Sequence, residues 1–170
     1  MKYIYISNRT KEKLELSKLP STHILQSYKN IKTSNNRWGM FLFDKDKNEI
    51  VGVCEFMKEE EDGIKFLLLV YVFIDEKYRG NNQCYELVKQ AILKNEKKID
   101  NLIKVDIAGG EPILKCLIKV FSELKYKIHK YKSDKEENIK DLKKITFKAA
   151  IKIEKKNYES DIWQTLFFSQ

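Results

Sequence analysis

The sequence predicts a mixed α/β fold, α+β in type, in which an antiparallel meander is followed by one parallel strand–helix–strand step. Three observations predict this arrangement. Strand-like runs separated by short polar turns fill residues 37–74. A helix-period pattern over residues 84–92 then leads to a further apolar run, residues 101–107. After a glycine pair, Pro112 opens a second amphipathic helix.

The N-terminal region predicts a short strand and then a helix. Residues 3–6, with the sequence YIYI, are typical of a strand. We expect Ser7 or Thr10 to cap a helix that ends at Pro20. The pattern of residues 22–28 is ambiguous.

Three strands joined by tight turns form the predicted meander. Residues 37–56 divide into two strands at the polar turn 44–48, and a second turn, 58–63, closes on an Asp-Gly pair. The long strand that follows, about residues 64–74, is apolar on both faces. We therefore expect it to be a central strand that is covered on both sides.

The second half of the chain predicts the parallel step. A helix with Cys84, Val88 and Ala91 on one face separates the long strand from residues 101–107. Such a connection favours a right-handed crossover and parallel pairing. Parallel neighbours of this kind often splay, and a cleft then forms between their C-terminal ends. An apolar stripe over residues 113–124 predicts the second helix.

Further strands are predicted towards the C-terminus, at residues 126–131 and 144–153. Beyond them, Trp163, Leu166 and Phe167 are spaced i, i+3, i+4, which is typical of a short helix, although an extended arm fits as well. This C-terminal arm could cover the domain or reach a partner subunit in a homodimer. Both alternatives stay open.

The length and composition predict one domain. The chain has 170 residues, of which 42% are hydrophobic and 12% aromatic, enough for a core at about residues 37–153 and an arm at 154–170. The formal net charge is +8, and residues 127–156 hold eleven lysines against five acidic residues. A basic surface can attract nucleic acid. These lysines alternate with strand residues and lack an aromatic stacking pattern, so we expect a solubilising role and no nucleic-acid partner.

The cysteines and the hydropathy pattern point to a reducing compartment. Cys54, Cys84 and Cys116 lack the spacing of a metal site, and an odd number suits free thiols. No apolar run approaches the roughly 20 residues needed to span a bilayer. The N-terminus becomes charged too early for a signal peptide. We expect a cytoplasmic protein without a metal and without a membrane partner.

The corner between the long strand and the first helix has the composition of a phosphate-binding turn. Such a turn needs several main-chain N–H groups that point the same way, residues that permit that geometry, and a helix N-terminus behind them. Gly80 tolerates positive φ freely, and Asn81 and Asn82 are of the next most tolerant type. Arg79 adds a fixed positive charge. Taken alone, a Gly-Asn-Asn run is more often only a turn.

The stretch YVFIDEKYRGNNQCYELV resembles the cofactor-binding motif of the GCN5-related N-acetyltransferase (GNAT) superfamily. In that family a strand ends in a V-x-P-x-Y-like run, and Q/R-x-x-G-x-G/A then leads into a helix. Ile74 takes the place of the valine, Tyr78 that of the tyrosine and Arg79 that of the Gln/Arg. Asn82 falls on the first glycine, and Cys84 falls on the Gly/Ala position.

The later segment VFSELKYKI resembles the helix end LYEKLGF of the same family, with Phe121 at the tyrosine, Lys125 at the glycine and Tyr126 at the phenylalanine. The resemblance covers roughly residues 38–131 and implies the GNAT-like acyl-CoA N-acyltransferase fold. Phe121 departs from the pattern, because many family members use the tyrosine hydroxyl as a general acid. Glu76 departs as well, since it replaces the common proline.

The resemblance implies transfer of an acetyl group from acetyl-CoA to an amine by direct attack on the thioester. The end of the long strand would offer main-chain groups to the pantetheine arm, and one N–H there would polarise the thioester carbonyl. The N–H groups at the helix start would hold the pyrophosphate. The residues implied in cofactor binding are Val72, Phe73, Ile74, Arg79, Gly80, Asn81, Asn82, Gln83, Cys84 and Tyr85.

The acceptor amine must lose a proton before it attacks. Asp106, on the strand beside the expected cleft, resembles in position the acidic base of some family members, and we predict it as the catalytic residue, although a side chain that faces solvent or caps a nearby group would also explain it. Glu55 and Glu111 are further candidates, although a strand-edge salt bridge and a favourable helix start would also explain them. Tyr85 and Tyr126 are candidates to protonate the leaving thiolate, and neither is favoured.

Three functions therefore stay open. The preferred one is an acetyl-CoA-dependent N-acetyltransferase that acts on a polyamine, an aminoglycoside, an amino acid, a protein N-terminus or a lysine side chain. The departures from the motif support a catalytically weak protein of the same fold that binds CoA or a partner. The third is a basic nucleic-acid-associated module without a cofactor, for which only the charge argues.

Overall fold

Strands and helices alternate along the residues that the structure, a computed structural model, describes: 1–11, 13–61, 64–95, 102–107, 111–131 and 164–169. The strands are β1 (Lys2–Ser7), β2 (Arg37–Asp44), β3 (Glu49–Glu61), β4 (Ile64–Ile74), β5 (Leu102–Ile107), β6 (Lys127–Tyr131) and β7 (Gln164–Ser169). The helices are α1 (Thr22–Thr33), α2 (Gln83–Asn95) and α3 (Glu111–Glu123). Two short 3₁₀ turns lie at Leu16–Lys18 and Glu76–Tyr78.

The chain divides into two compact units. The first consists of Met1–Lys58 and Leu69–Lys98, and the second of Glu59–Leu68 and Ile99–Gln170. Within the first unit the strand order is β1-β2-β3-β4, and within the second the order is β4-β5-β7-β6. β4 therefore contributes its last residues to the first unit and its first residues to the second. This mixture of helices with a strand-rich sheet confirms the predicted mixed α/β class.

The predicted meander is present in the first unit. β1 pairs antiparallel with β2, and β2 pairs antiparallel with β3. β4 has the predicted bounds. β3 is longer than predicted because it extends to Glu61, so the expected turn at residues 58–63 begins inside a strand. Lys58 shows why a strand continues into this charged segment. Its N–H bonds to the Asn36 carbonyl at 2.9 Å, so its main chain stays paired. Charged side chains can line the exposed face of such a strand.

The N-terminal helix lies later in the chain than predicted. Ser7 and Thr10 close a turn, in which the Ser7 N–H donates to Thr10 Oγ1 at 2.8 Å, and they cap no helix. α1 begins at Thr22, after Pro20. The prediction that Pro20 ends a helix is therefore wrong. Just before a helix, a proline removes no intrahelical hydrogen bond, so the same residue suits the start as well as the end.

α1 covers one face of the first unit. Its buried residues Ile24 and Ile31 pack in a cluster with Phe41 and Val53 of the neighbouring strands. Gly39 permits this packing, because a Cβ at that position would lie 2.6 Å from Ile31 Cδ1. Two apolar layers therefore meet closely here, and a larger residue would require the Ile31 side chain to shift.

α2 packs against β1 and β2 with the apolar stripe that the sequence predicts. Leu87, Val88, Ala91 and Ile92 are fully buried. The helix therefore has a fixed position relative to these strands, and so does its first turn. No helix in the described residues is long and apolar enough to cross a membrane.

The second unit contains a strand that the sequence did not settle. Leu166 and Phe167 lie on β7, which pairs antiparallel with β5 on one side and with β6 on the other. The helical alternative for this segment is thus wrong. A strand hydrogen-bonded on both sides satisfies its main-chain groups, whereas an isolated helix of this length is marginal. Trp163 and the strand predicted at residues 144–153 lie outside the described residues.

Candidate functional site

The corner between β4 and α2 is built from short-range hydrogen bonds. The Asp75 carboxylate accepts the Lys77 N–H at 3.1 Å and so begins the 3₁₀ turn that follows β4. The Tyr78 N–H returns to the Asp75 carbonyl at 2.9 Å. At the other end of the corner, the Glu86 N–H bonds to the Asn82 carbonyl at 2.9 Å, so Asn82 is the residue from which α2 starts.

Two residues of the corner have positive φ. Gly80 has φ of 94° and Asn82 has φ of 56°. This region favours glycine, and asparagine is enriched there among the other residues. A Cβ on Gly80 would meet nothing within 4 Å, so the conformation rather than the available space requires glycine.

The main-chain amides of the corner can bind an anion. Gly80, Asn81, Asn82 and Gln83 donate no hydrogen bond from their main-chain N–H to any group in the part of the chain that the structure describes. The first three of these residues are exposed. The amides precede or begin α2, where the aligned peptide dipoles add a partial positive charge. A diphosphate would satisfy these donors.

Asn82 stands where the motif that the sequence resembles has glycine. Its side chain is exposed and forms no hydrogen bond within the described residues. Its main chain has the left-handed conformation that glycine favours and that asparagine also tolerates. The replacement of glycine is therefore compatible with positive φ at this position.

Arg79 is held at the end of β4. Its Nε donates to the Ile74 carbonyl at 3.0 Å, and its Nη1 lies 3.5 Å from Glu76 Oε1. The side chain is 56% exposed. A positive charge thus stands beside the strand end, within reach of solvent.

The end of β4 presents alternate residues on its two edges. The Phe73 carbonyl lies 3.1 Å from the point where a Cβ on Gly52 would be, so Phe73 directs its main-chain groups towards β3. Main-chain groups alternate in direction along a strand. Val72 and Ile74 therefore direct theirs away from β3, and the Ile74 carbonyl is already bonded to Arg79. Val72 therefore directs its main-chain groups towards the edge of β4 that lies away from β3.

Tyr78 ties the corner to the turn between β2 and β3. Its hydroxyl donates to Asp44 Oδ2 at 2.8 Å, and Asp44 Oδ1 accepts the Asp46 N–H at 3.0 Å. The hydrogen bond from Tyr78 lowers the pKa of the Asp44 carboxyl. Lys47 Nζ lies 5.0 Å from the centre of the Tyr78 ring. The tyrosine of the motif is therefore a structural anchor in this chain.

Cys84 lies at the first turn of α2 and is half-buried, while Cys54 on β3 is fully buried. Burial raises the pKa of the Cys54 thiol well above its ordinary value, and Cys84 contributes to that rise. None of the three cysteines is in a disulfide. These two thiols belong to the packing between helix and sheet, as the apolar face of α2 predicts.

The predicted acid–base residues fall into different settings. Glu55 is 1% exposed and accepts a hydrogen bond from Arg37 Nη1 at 2.8 Å, so the salt bridge that the sequence offered as an explanation is present. Asp106 lies on β5 in register with Thr165 of β7. Glu111 is the first residue of α3. Tyr85 accepts a hydrogen bond from Lys89 Nζ at 3.3 Å.

Phe121 and Tyr126 belong to the core of the second unit. Phe121 is fully buried and Tyr126 is 5% exposed. Their ring centroids are 5.4 Å apart in an edge-to-face arrangement. Neither ring is placed to meet a ligand from solvent. Within the described residues, no group of His, Cys, Asp and Glu side chains could hold a metal ion.

The structure also brings together three aromatic rings that sequence reasoning missed. Tyr71 and Phe73 lie on one face of β4, and His23 of α1 packs over them. Tyr71 Oη is 2.8 Å from His23 Nδ1. The i, i+2 spacing of Tyr71 and Phe73 places both on one face of a strand, but nothing in the sequence indicates that residue 23 lies beside them.

Comparison with solved structures identifies the fold. A proposed acyl-CoA N-acyltransferase from Klebsiella pneumoniae superposes with a TM-score of 0.52 at 11% identity, over 98% of this chain and 94% of that one. A GNAT family acetyltransferase from Elizabethkingia anophelis, with acetyl-CoA bound, gives 0.51 at 13% identity, over 99% and 98%. A Bacillus subtilis acetyltransferase in complex with CoA gives 0.50 at 17% identity, over 89% and 85%.

No family model matches the sequence, and no curated protein matches it. The likeness is therefore one of fold. The chain has the mixed α/β fold of the GNAT acyl-CoA N-acyltransferases, as the strand-to-helix corner predicted.

Proposed function

We propose that this chain, which has the GNAT fold, is an acetyl-CoA-dependent N-acetyltransferase that acetylates an amine by direct attack on the thioester. One observation carries the proposal. The exposed amides of Gly80, Asn81 and Asn82, with that of Gln83, lack acceptors among the described residues and precede a helix N-terminus. Such a cradle suits a diphosphate, which is the anionic part of CoA.

The residues of the corner have separate roles in this proposal. The four amides and the first turn of α2, at Cys84 and Tyr85, bind the pyrophosphate. Arg79 adds charge attraction beside the end of β4. Val72 offers its N–H to the thioester carbonyl, because its main chain faces away from β3. An N–H in that position stabilises the oxygen when it becomes negative during the reaction.

Acetyl-CoA supplies an activated acetyl group whose thiolate departs when the amine attacks. The protein holds the two reactants together, and this proximity accounts for much of the rate. Asp106 is the base that the resemblance implies, and the resemblance alone supports that role. The acceptor is a primary amine of a class still to be identified.

Thermal unfolding with and without acetyl-CoA tests the binding step. A ligand that binds only the native state stabilises it by about 2.7 kcal/mol when its concentration is 100 times Kd. We expect a rise in Tm with acetyl-CoA and with CoA. No shift at millimolar ligand would remove the proposal.

Thiol release in the presence of amines tests the chemical step. The five classes of acceptor are offered separately, with acetyl-CoA saturating, and CoA thiol is measured. Release above the rate without amine supports an acetyltransferase. A Tm shift without release for any amine favours the CoA-binding protein instead, and a salt-sensitive shift with RNA alone favours the nucleic-acid module.

A further inference from the structure

Three aromatic side chains form a second site beside the corner, which we call the aromatic cluster: His23, Tyr71 and Phe73. The Tyr71 hydroxyl and His23 Nδ1 are 2.8 Å apart. The His23 ring stacks on Phe73, with centroids 4.9 Å apart and planes 26° from parallel. The ring planes of Tyr71 and Phe73 are nearly parallel, with an angle of 7° between them. The imidazole is therefore oriented by stacking on Phe73 and by a hydrogen bond with Tyr71.

The aromatic cluster has one ring that is exposed to solvent and two rings that pack on the core. His23 is exposed, whereas Tyr71 and Phe73 are half-buried and pack against the core of the first unit. Burial raises the pKa of the Tyr71 phenol, and the positive charge of Arg79 opposes that rise. The phenol therefore stays protonated at neutral pH. A neutral phenol can pass a proton on only if it receives another in the same step.

The position of Tyr71 relates the cluster to the proposed reaction. Tyr71 directly precedes Val72, whose N–H we assign to the thioester carbonyl. Consecutive Cα atoms are about 3.8 Å apart, so the phenol lies within a side chain's length of that amide. Tyr71 also stands three residues before Ile74, the last residue of β4, whose carbonyl accepts the hydrogen bond from Arg79.

We propose that Tyr71 and His23, rather than Asp106, carry the proton away from the attacking amine. This proposal rests on the proposed function. Tyr71 is then a catalytic residue that touches the acceptor, and His23 is the residue that accepts the Tyr71 proton. Phe73 is a positioning residue that keeps the imidazole in place by stacking.

The proton transfers balance as follows. The acceptor ammonium gives one proton to Tyr71 Oη while Tyr71 gives its own proton to His23 Nδ1. The imidazolium releases a proton from Nε2 to solvent, which reaches this exposed ring. The carbon–nitrogen bond forms as the carbon–sulfur bond breaks, and the second proton of the nitrogen goes to the departing thiolate. The sum is one amide, one thiol and one proton released to water.

Two nucleophiles separate a proton-transfer role from a structural one. Propylamine is protonated at neutral pH and needs a base, whereas hydroxylamine is largely unprotonated there. With acetyl-CoA saturating, we expect Tyr71→Phe and His23→Ala to lower the rate of thiol release with propylamine by about 10²-fold or more. The rate with hydroxylamine should fall by much less. Imidazole in the buffer should restore part of the propylamine rate to His23→Ala but not to Tyr71→Phe.

The chain offers a matched control for each variant. Tyr3→Phe removes another half-buried hydroxyl in the first unit, and His129→Gln removes the other of the two histidines. Both control variants should leave unchanged the ratio between the thiol-release rate with propylamine and the rate with hydroxylamine. An equal loss with both nucleophiles, or no loss with propylamine, would overturn the proposal, while the acetyl-CoA Tm shift together with thiol release by the wild type upholds the proposed function. Failure of the wild type to release thiol with propylamine at any concentration, despite that shift, would also overturn it.

A measurement without acetyl-CoA tests the pair itself. In His129→Gln protein, the imidazole ¹⁵N resonances arise from His23 alone. We expect Nδ1 to show the shift of an unprotonated, hydrogen-bonded nitrogen, and Tyr71→Phe to change it. Either of two results would contradict the pairing of His23 with Tyr71. One is an Nδ1 that carries the proton at neutral pH, and the other is an Nδ1 resonance that Tyr71→Phe does not change.

Discussion

The corner and the end of α3 depart from the same family pattern in the same way, yet with different results. In each, a residue other than glycine stands where the family has glycine, namely Asn82 at the corner and Lys125 after α3. Both adopt positive φ, 56° for Asn82 and 62° for Lys125. Both residues therefore have a backbone conformation that favours glycine. What differs is whether the role implied by the family belongs to the main chain or to a side chain.

At the corner, the implied role belongs to N–H groups, which every residue but proline has. At the end of α3, the implied role belongs to a tyrosine hydroxyl, and Phe121 lacks it. Phe121 instead takes part in the helix end: the Tyr126 N–H bonds to its carbonyl at 2.8 Å, and the Lys125 N–H bonds to the Ser122 carbonyl at 3.1 Å. This is the Schellman arrangement, and the packed rings of Phe121 and Tyr126 are its apolar contact.

A main-chain site can persist when side chains are replaced, whereas a side-chain role is lost with the side chain. Because Phe121 has no hydroxyl to protonate the thiolate, the thiolate takes its proton from the attacking nitrogen in the reaction proposed above. The predictions that follow probe the two regions separately.

The largest effect is expected at Gly80. Gly80→Val places a β-branched residue at φ of 94°, which such residues adopt only with strain, so the corner must change shape. We expect the acetyl-CoA-induced rise in Tm to disappear. Lys125→Val is the matched control, because it introduces similar strain after α3. It should lower Tm while the ligand-induced rise persists. Retention of that rise in Gly80→Val would show that the corner is wrongly placed.

The next effect is expected at Phe121. Phe121→Tyr restores the family hydroxyl, but the ring is fully buried, so the new group loses water without an assured partner. We expect a loss of about 1–3 kcal/mol in the free energy of unfolding, measured by urea denaturation, and no gain in thiol release. A gain in the rate with propylamine would mean that the new hydroxyl reaches the departing thiolate, and would contradict the placement of residue 121 in the core away from the reaction.

A smaller effect of opposite sign is expected from Lys125→Gly. Glycine adopts positive φ without the steric cost that lysine carries, and the exposed lysine side chain is not needed for packing. We expect a gain of about 0.5–1 kcal/mol in the free energy of unfolding. Acetyl-CoA binding should not change. A loss of stability would indicate that the lysine side chain contributes to the helix end.

The smallest effect is expected for Tyr78→Phe, in the dependence of Tm on acid pH. Because the hydrogen bond from Tyr78 lowers the pKa of Asp44 below its ordinary value of 3.8, the charged carboxylate favours the folded state. This contribution is present above the ordinary value and is lost as the pH falls through the lowered one. Tyr78→Phe should therefore lower Tm at neutral pH and show a smaller further loss between about pH 6 and about pH 2. An unchanged acid profile would contradict the anchoring role of Tyr78.

The elements with strong periodicity could be predicted from sequence, and those that depend on distant partners could not. The long apolar run predicted β4 with its bounds, and the i, i+3, i+4 stripes predicted α2 and α3. Such patterns are local because side-chain burial imposes them within one element. Pro20 fits either end of a helix, so α1 was misplaced. β7 depends on two neighbouring strands for its hydrogen bonds, and no local signal reveals them.

The same distinction applies to the site. The corner was visible because its residues are consecutive and the positive φ of Gly80 and Asn82 has a residue-type signature. The contact between His23 and Tyr71 joins residues 48 positions apart, which a single sequence cannot indicate. The roles of Asp106 and of the corner residues towards acetyl-CoA stay predictions.

The most direct test is a ¹H–¹⁵N NMR titration of the protein with CoA and, separately, with pantetheine, which lacks the diphosphate. We predict that CoA shifts the amide resonances of Gly80, Asn81, Asn82 and Gln83 strongly, and that pantetheine at the same concentration leaves them in place. Unchanged amides in saturating CoA, or equal shifts with pantetheine, would contradict the claim that these four N–H groups hold a diphosphate.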